Sequence, residues 1–148
     1  MIEVDVEVEA EAWLAALPDA EFAAIAAAER ALGMAQKNGG VTVLLADDVE
    51  VKALNAQFRG KDAATNVLSF PAPANPEDHL GDVALAFETC RREAVEQGKP
   101  LSDHLQHLVA HGVLHLIGYD HESDADAQVM EDLERRILES LGVADPYA

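Results

Sequence analysis

Residues 111 to 121 read His-Gly-Val-Leu-His-Leu-Ile-Gly-Tyr-Asp-His, and this stretch restricts the fold more than any other. On a helix, His111 and His115 stand one turn apart on one face, with roughly 5–6 Å between their Cβ atoms. The apolar pattern after Ser102, a potential N-cap, carries that helix to about Ile117. His121 would leave the face if the helix ran straight on. Gly118 breaks the run, because a glycine takes positive φ without steric cost, ends the helix and turns the chain back. The spacing therefore predicts a helix, a glycine turn and a third imidazole returned to the first two. Three neutral imidazoles leave one tetrahedral position open, as catalytic zinc sites do and closed structural sites do not. Nickel, copper or cobalt would accept the same ligands. The bland counterpart is a buried histidine cluster satisfied by carbonyls and carboxylates.

The same spacing occurs in one class of zinc peptidases, which need a glutamate directly after the first histidine as general base. Here that position is Gly112, which cannot take a proton, so proteolysis by that route is disfavoured. Asp120, Glu122 or Asp82 could serve as a base instead, although most of the 28 acidic residues must be solvated surface groups. Cations are scarce: Lys and Arg total 10 and the formal net charge is −18. Arg59 and Lys61, close together in one polar loop, therefore stand out. A guanidinium grips phosphate through two parallel hydrogen bonds, and the loop would hold an anionic substrate if it folds toward the histidines. The alternative is a pair of solvated loop cations. His107 lies one turn before His111 and would line the same groove. His104 and His79 read as surface residues, Cys90 as a small packed residue, and Trp13 and Phe22 as packing rings. Arg135 and Arg136 fall on the wet face of the last helix.

The rest of the chain gives the frame. Ile2 to Val8 alternates apolar and acidic residues, a strand with one wet face. A helix spans Glu21 to Leu32, and Val41 to Ala46 is a short strand. Asp47 opens a helix with the stripe Val51, Leu54 and Phe58, which stops at Gly60. Val67 to Phe70 and Val83 to Phe87 are strands separated by a proline-rich loop. Helices follow over Glu88 to Gln97, then to Ile117, then from a Ser123 cap with Val129, Leu133, Ile137 and Leu141 as its apolar row. This order predicts an α+β fold: one small mixed sheet packed against helices, in a single domain over residues 1–148. The acidic balance argues against a broad basic face for duplex nucleic acid, but not against a small positive pocket. One cysteine excludes an intrachain disulfide and a cysteine-rich zinc module. No run reaches the length of a membrane span and no basic, apolar leader opens the sequence, so no membrane role and a cytoplasmic location are expected.

The histidine string with Asp120 resembles the signature of the YbeY family of bacterial proteins. Two further blocks agree: Leu54-Asn55 with Phe58-Arg59-Gly60-Lys61-Asp62, Thr65 and Val67-Leu68-Ser69-Phe70-Pro71, and then Leu80-Gly81-Asp82. The segment after Asp82, Val83-Ala84-Leu85-Ala86, is more apolar than the resemblance leads one to expect. The resemblance covers about the last two thirds of the chain. It implies a small α+β domain and a metal-dependent, single-strand-specific endoribonuclease. Such an enzyme acts in maturation of ribosomal RNA, at the 3′ end of the small-subunit RNA, and in ribosome quality control. It implies one zinc ion on His111, His115 and His121, with the family's arginine at Arg59. The implied partners are ribosomal RNA, the small ribosomal subunit and its proteins, and the Era GTPase. Arg59, with Lys61, would orient the RNA phosphate, and Asp120 would assist beside the last ligand. Whether water or the RNA's own 2′-OH attacks phosphorus stays open. Two alternatives belong to other classes: a non-catalytic ribosome-assembly factor with a structural zinc, and a zinc hydrolase acting on a small phosphate or amide.

Overall fold

The computed structural model describes residues 1–60 and 65–147. Its elements are β1 (Ile2–Val8), α1 (Ala12–Ala16), α2 (Ala20–Met34), β2 (Gly39–Ala46), α3 (Asp48–Arg59), β3 (Val67–Pro71), β4 (His79–Ala86), α4 (Phe87–Gln97), α5 (Leu101–Leu116) and α6 (Asp124–Ser140). The four strands form one mixed sheet in the order β1-β2-β4-β3. The first three run parallel, and β3 pairs antiparallel with β4. This is the mixed α+β arrangement expected from the order of elements.

The alternation in β1 matches its place at an edge: Ile2, Val4, Val6 and Val8 pack against the core while Glu3, Asp5 and Glu7 stay exposed. The central strands are different. Val41, Val43 and Leu45 of β2, with Val83 and Leu85 of β4, enter the main core beneath α2 and α5. Ala46, Ala84 and Ala86 face a second, smaller core with Val51 of α3 and Leu68 of β3. A strand covered on both faces reads as a continuous apolar run. That accounts for Val83-Ala84-Leu85-Ala86, with the alanines on the side where α3 leaves little room.

Several boundaries and surfaces depart from the sequence expectation. The short helix α1 was not foreseen; it seats Trp13, fully buried, whose indole N–H donates to the Ala46 carbonyl at 2.8 Å. The ring of Trp13 meets that of Phe87 edge-on at 5.1 Å. Strand β4 starts at His79 rather than Val83, and Phe87 already belongs to α4. Ser102 does not cap α5; Pro100 occupies that position without a side-chain cap, because helical geometry begins one residue before the serine. Phe22 is 76% exposed and does not pack as expected, and Phe58, 61% exposed, meets the Phe70 ring edge-on at 5.5 Å without being buried. Val129 is also exposed, and the buried row of α6 is Met130, Leu133, Glu134, Ile137 and Leu138. The Asp47 and Ser123 caps form as predicted, on the amides of Glu50 and Asp126. Gly60 ends α3 at φ +69. No helix among the described residues is long and apolar enough to cross a membrane.

Candidate metal centre

Helix α5 presents two faces with different tasks. One lies against the sheet, and its closest approach is at Gly112. A Cβ at that position would stand 2.7 Å from Val83 Cγ1 and 3.2 Å from Ser69 Oγ. Ser69 Oγ–H donates to the Gly112 carbonyl at 2.9 Å, which fixes α5 on β3. The residue after the first histidine is therefore a packing position. A glutamate there would point into the sheet, away from the histidines.

The other face carries His107, His111 and His115. After α5, Gly118 takes φ +104, and the Tyr119 amide bonds to the Leu114 carbonyl at 3.0 Å. No atom lies within 4 Å of where a Cβ on Gly118 would stand, so the backbone conformation, not space, calls for glycine. The turn returns His121 to the helix: its ring centroid is 5.7 Å from that of His111 and 5.2 Å from that of His115. One nitrogen from each of the three imidazoles lies within 4.8 Å of the others. His111 and His115 are half-buried and His121 is exposed. His107 stands outside the trio and turns instead to Glu134, at 3.2 Å.

The donor set suits a single divalent cation. His111 Nε2 and His115 Nε2 face each other at 3.1 Å. A proton on one can satisfy only that pair, whereas a cation would take lone pairs from all three rings. Burial holds the His115 imidazole below its ordinary pKa, and the neighbouring His111 and His121 push the same way. The ring is thus neutral near pH 7, the form that ligates. The other nitrogen of His111, Nδ1, lies 3.0 Å from Glu134 Oε1. Burial alone would raise the Glu134 carboxyl. Hydrogen bonds and charge from His107 and His111 outweigh it and bring the pKa to about 2. Nothing in the sequence singled out Glu134, one of 28 acids.

The three histidines line a cavity of about 450 Å³ together with Arg59, Asn66, Val67, Ser69, Pro71, Asp120 and Glu122. Arg59 ends α3 and reaches across to β3, where Nη2–H donates to the Ser69 carbonyl at 3.0 Å. Arg59 and the histidines are thus brought together from separate parts of the chain. Asp120 lies on the cavity wall, and its Oδ1 accepts the Glu122 amide at 3.2 Å, shaping the turn before His121. Lys61 lies outside the described residues. Asp82 does not join this cavity: it pairs with His79 at 3.0 Å in a neighbouring one. His104 is not on the surface but 3% exposed, because the first turn of α5 is covered by α4, whose Glu93 it meets at 2.8 Å. Cys90 is buried as expected, and burial pushes its thiol up, so it is no nucleophile.

The family model described as endoribonuclease YbeY matches residues 7–142. A Chelativorans protein of the same description is 54% identical over 133 residues, which covers 86% of this chain and 80% of the relative. One from Paramagnetospirillum magneticum is 50% identical over 158 aligned positions, covering 99% of this chain and 96% of the relative. The solution structure of a Thermotoga maritima protein superposes with a TM-score of 0.61 at 30% identity, covering 95% of this chain and 89% of that one. With most of its length matched by the family model and by relatives at about half identity, this chain belongs to the YbeY endoribonuclease family.

Proposed function

We propose that this chain is a zinc-dependent, single-strand-specific endoribonuclease that matures ribosomal RNA, at the 3′ end of the small-subunit RNA, and takes part in ribosome quality control. The observation that carries this reading is the convergence of three imidazoles on one point, in a cavity whose wall also holds Arg59. His111, His115 and His121 would hold the ion. When bound there, it would supply Lewis acidity to a phosphoryl oxygen and lower the pKa of water.

The remaining work falls to the chain's own groups. Arg59 commits one N–H to the Ser69 carbonyl, which aims the guanidinium and leaves its other donors for the oxygens of an RNA phosphate. Lys61 would add a second cation to the same phosphate. Asp120, the carboxylate next to His121 and on the cavity wall, would take a proton from the attacking hydroxyl. Among the described lining residues Arg59 is the sole permanent cation, against Asp120 and Glu122. With a net charge of −18 the whole molecule repels RNA at long range. Weak intrinsic affinity follows, with delivery by small-subunit proteins and the Era GTPase in the cytoplasm as part of the proposal.

The test is strand scission of an end-labelled single-stranded RNA by zinc-loaded protein. A His111→Ala, His115→Ala double variant and an Arg59→Ala variant serve as comparisons. Cleavage lost in both, with the proteins still folded, is the expected result. Equal cleavage by all three preparations would overturn the assignment of the site. Absence of cleavage by the unaltered protein, also with ribosomal particles as substrate, would favour an assembly factor with a structural zinc.

A further inference from the structure

Glu134 is the one acidic side chain buried among the described residues, at 0% exposure. It occupies a position of α6 where the flanking row, Met130, Leu133, Ile137 and Leu138, is apolar. A carboxylate in such a row costs several kcal/mol unless donors surround it. Three donors do. His107 Nε2 and His111 Nδ1 meet its Oε1 at 3.2 and 3.0 Å, and the Tyr147 hydroxyl donates to Oε2 at 3.0 Å. The two histidines come from consecutive turns of α5, and the tyrosine from beyond α6. A plain packing residue would have served to join these segments.

The chemistry of the acceptor fixes more than packing. An ionised carboxylate only accepts, so a hydrogen bond from His111 Nδ1 requires the proton to sit on Nδ1. The other nitrogen, Nε2, then carries the lone pair. It is this atom that faces His115 Nε2 at 3.1 Å and belongs to the converging set. The ring is held at one nitrogen and presented at the other.

We propose that Glu134 is the positioning residue of the histidine site: it fixes His111 in the Nδ1–H form and holds Nε2 toward the point where the three ligands meet. Affinity for the ion then depends on a side chain that never touches it. The proposal rests on the metal reading given above. Its energetic logic is general: partners behind a ligating imidazole raise its basicity and set its orientation, and their loss weakens metal binding about 10–100-fold.

The experiment has two readouts on the full chain. The first is zinc affinity, measured by competition with a chromophoric chelator, for the unaltered protein and for Glu134→Gln. A neutral amide cannot accept from two imidazoles and a phenol together, and a fall of about 10–100-fold is expected. The second needs no variant, so it stands even if Glu134→Gln fails to fold. Nitrogen-15 NMR of the imidazoles in the ion-free protein, at a pH where they are neutral, should find His111 protonated at Nδ1 with Nε2 bare. A proton on His111 Nε2 instead would overturn the proposal. So would equal zinc affinity in both proteins. If the unaltered protein takes up no zinc, the metal reading falls and the proposal with it. Uptake by the unaltered protein, undiminished in the variant, removes the proposal and leaves the metal reading intact.

Discussion

Of the three histidine–carboxylate pairs on helix α5, the outer two, at His104 and His111, lie two turns apart and are built in opposite senses. In the first, the histidine is the buried member: His104 is 3% exposed, and its partner Glu93 keeps 26%. In the second, the acid is the buried member: Glu134 is at 0% and His111 keeps 21%. A neutral imidazole is inexpensive to bury, and the first pair stops there. His104 Nδ1 is buried with no partner among the described residues, and Glu93 runs on to the Asn66 amide at 3.0 Å, tying α4, α5 and the start of β3 together. A buried carboxylate has to be saturated with donors. Of the two histidines that supply donors, His107 keeps its far nitrogen buried, while His111 has its far nitrogen turned to the cavity. A buried acid behind the ring, with the far nitrogen open to the cavity, thus separates His111 from His104, which holds the fold.

The contrast is broken most directly by exchanging the consequences. His111→Ala should lower zinc affinity by more than about 100-fold, beyond the range for partners behind a ligand. It should also cost about 1–3 kcal/mol of stability, because the buried Glu134 loses one of its three donors, but the fold should survive on His107 and Tyr147. Isothermal titration with zinc and thermal melts of the ion-free protein check both halves. If the melt collapses while affinity survives, His111 is a structural histidine like His104. Next in size is Gly112, on the face of α5 turned to the sheet. Gly112→Ala should cost about 1–3 kcal/mol, the usual range for overpacking, since Val83 Cγ1 stands 2.7 Å from the new methyl. Gly112→Glu should cost more, by burying an unpaired carboxylate, and should confer no peptidase activity; urea denaturation and a peptide-cleavage assay measure the two. His104→Ala comes third: a loss of about 1–2 kcal/mol from one missing hydrogen bond and a small cavity, with zinc affinity unchanged.

What the sequence made legible follows the same division. The three histidines and the glycine turn lie within eleven consecutive residues, so local helical geometry sufficed to foresee their meeting. Arg59 stood out because cations are rare. Glu134 did not, because an acid in an amphipathic helix is by default a surface residue, and only tertiary contact with α5 reverses that. In α6 the expected row fails at its start: Leu133 and Ile137 are buried and Leu141 packs against the core, but Val129 is exposed, and Met130 and Leu138 complete the buried face. His104 was misplaced for the complementary reason, since the cover it receives comes from α4 and is not encoded nearby. The five residues of α1 offer too little periodicity to be seen. The overall α+β order survived because strand alternation and helix caps are local signals.

The finest probe of the comparison is the pH dependence of stability. Burial holds the His104 imidazole below its ordinary pKa, and the hydrogen bond it gives to Glu93 only partly offsets this. Unfolded, the ring takes up its proton near 6.5. As pH falls below that value the unfolded chain therefore binds more protons than the folded one, and stability must fall with it. His115 is shifted in the same direction, so both histidines contribute to this window. Glu134 acts lower down. Its stabilisation is complete above 4.5 and is lost as pH falls toward about 2. Urea unfolding of the ion-free protein at pH 7.5, 6.5 and 5.5 isolates the histidine window. The unaltered protein should lose stability across it, and His104→Gln, which can still bond Glu93, should lose less. An unchanged slope in His104→Gln would mean that this buried ring accepts a proton in the folded state, with Glu93 as its charged partner. The buried member of the first pair would then carry a charge as Glu134 does in the second, and the contrast between a neutral buried histidine and a charged buried acid would disappear.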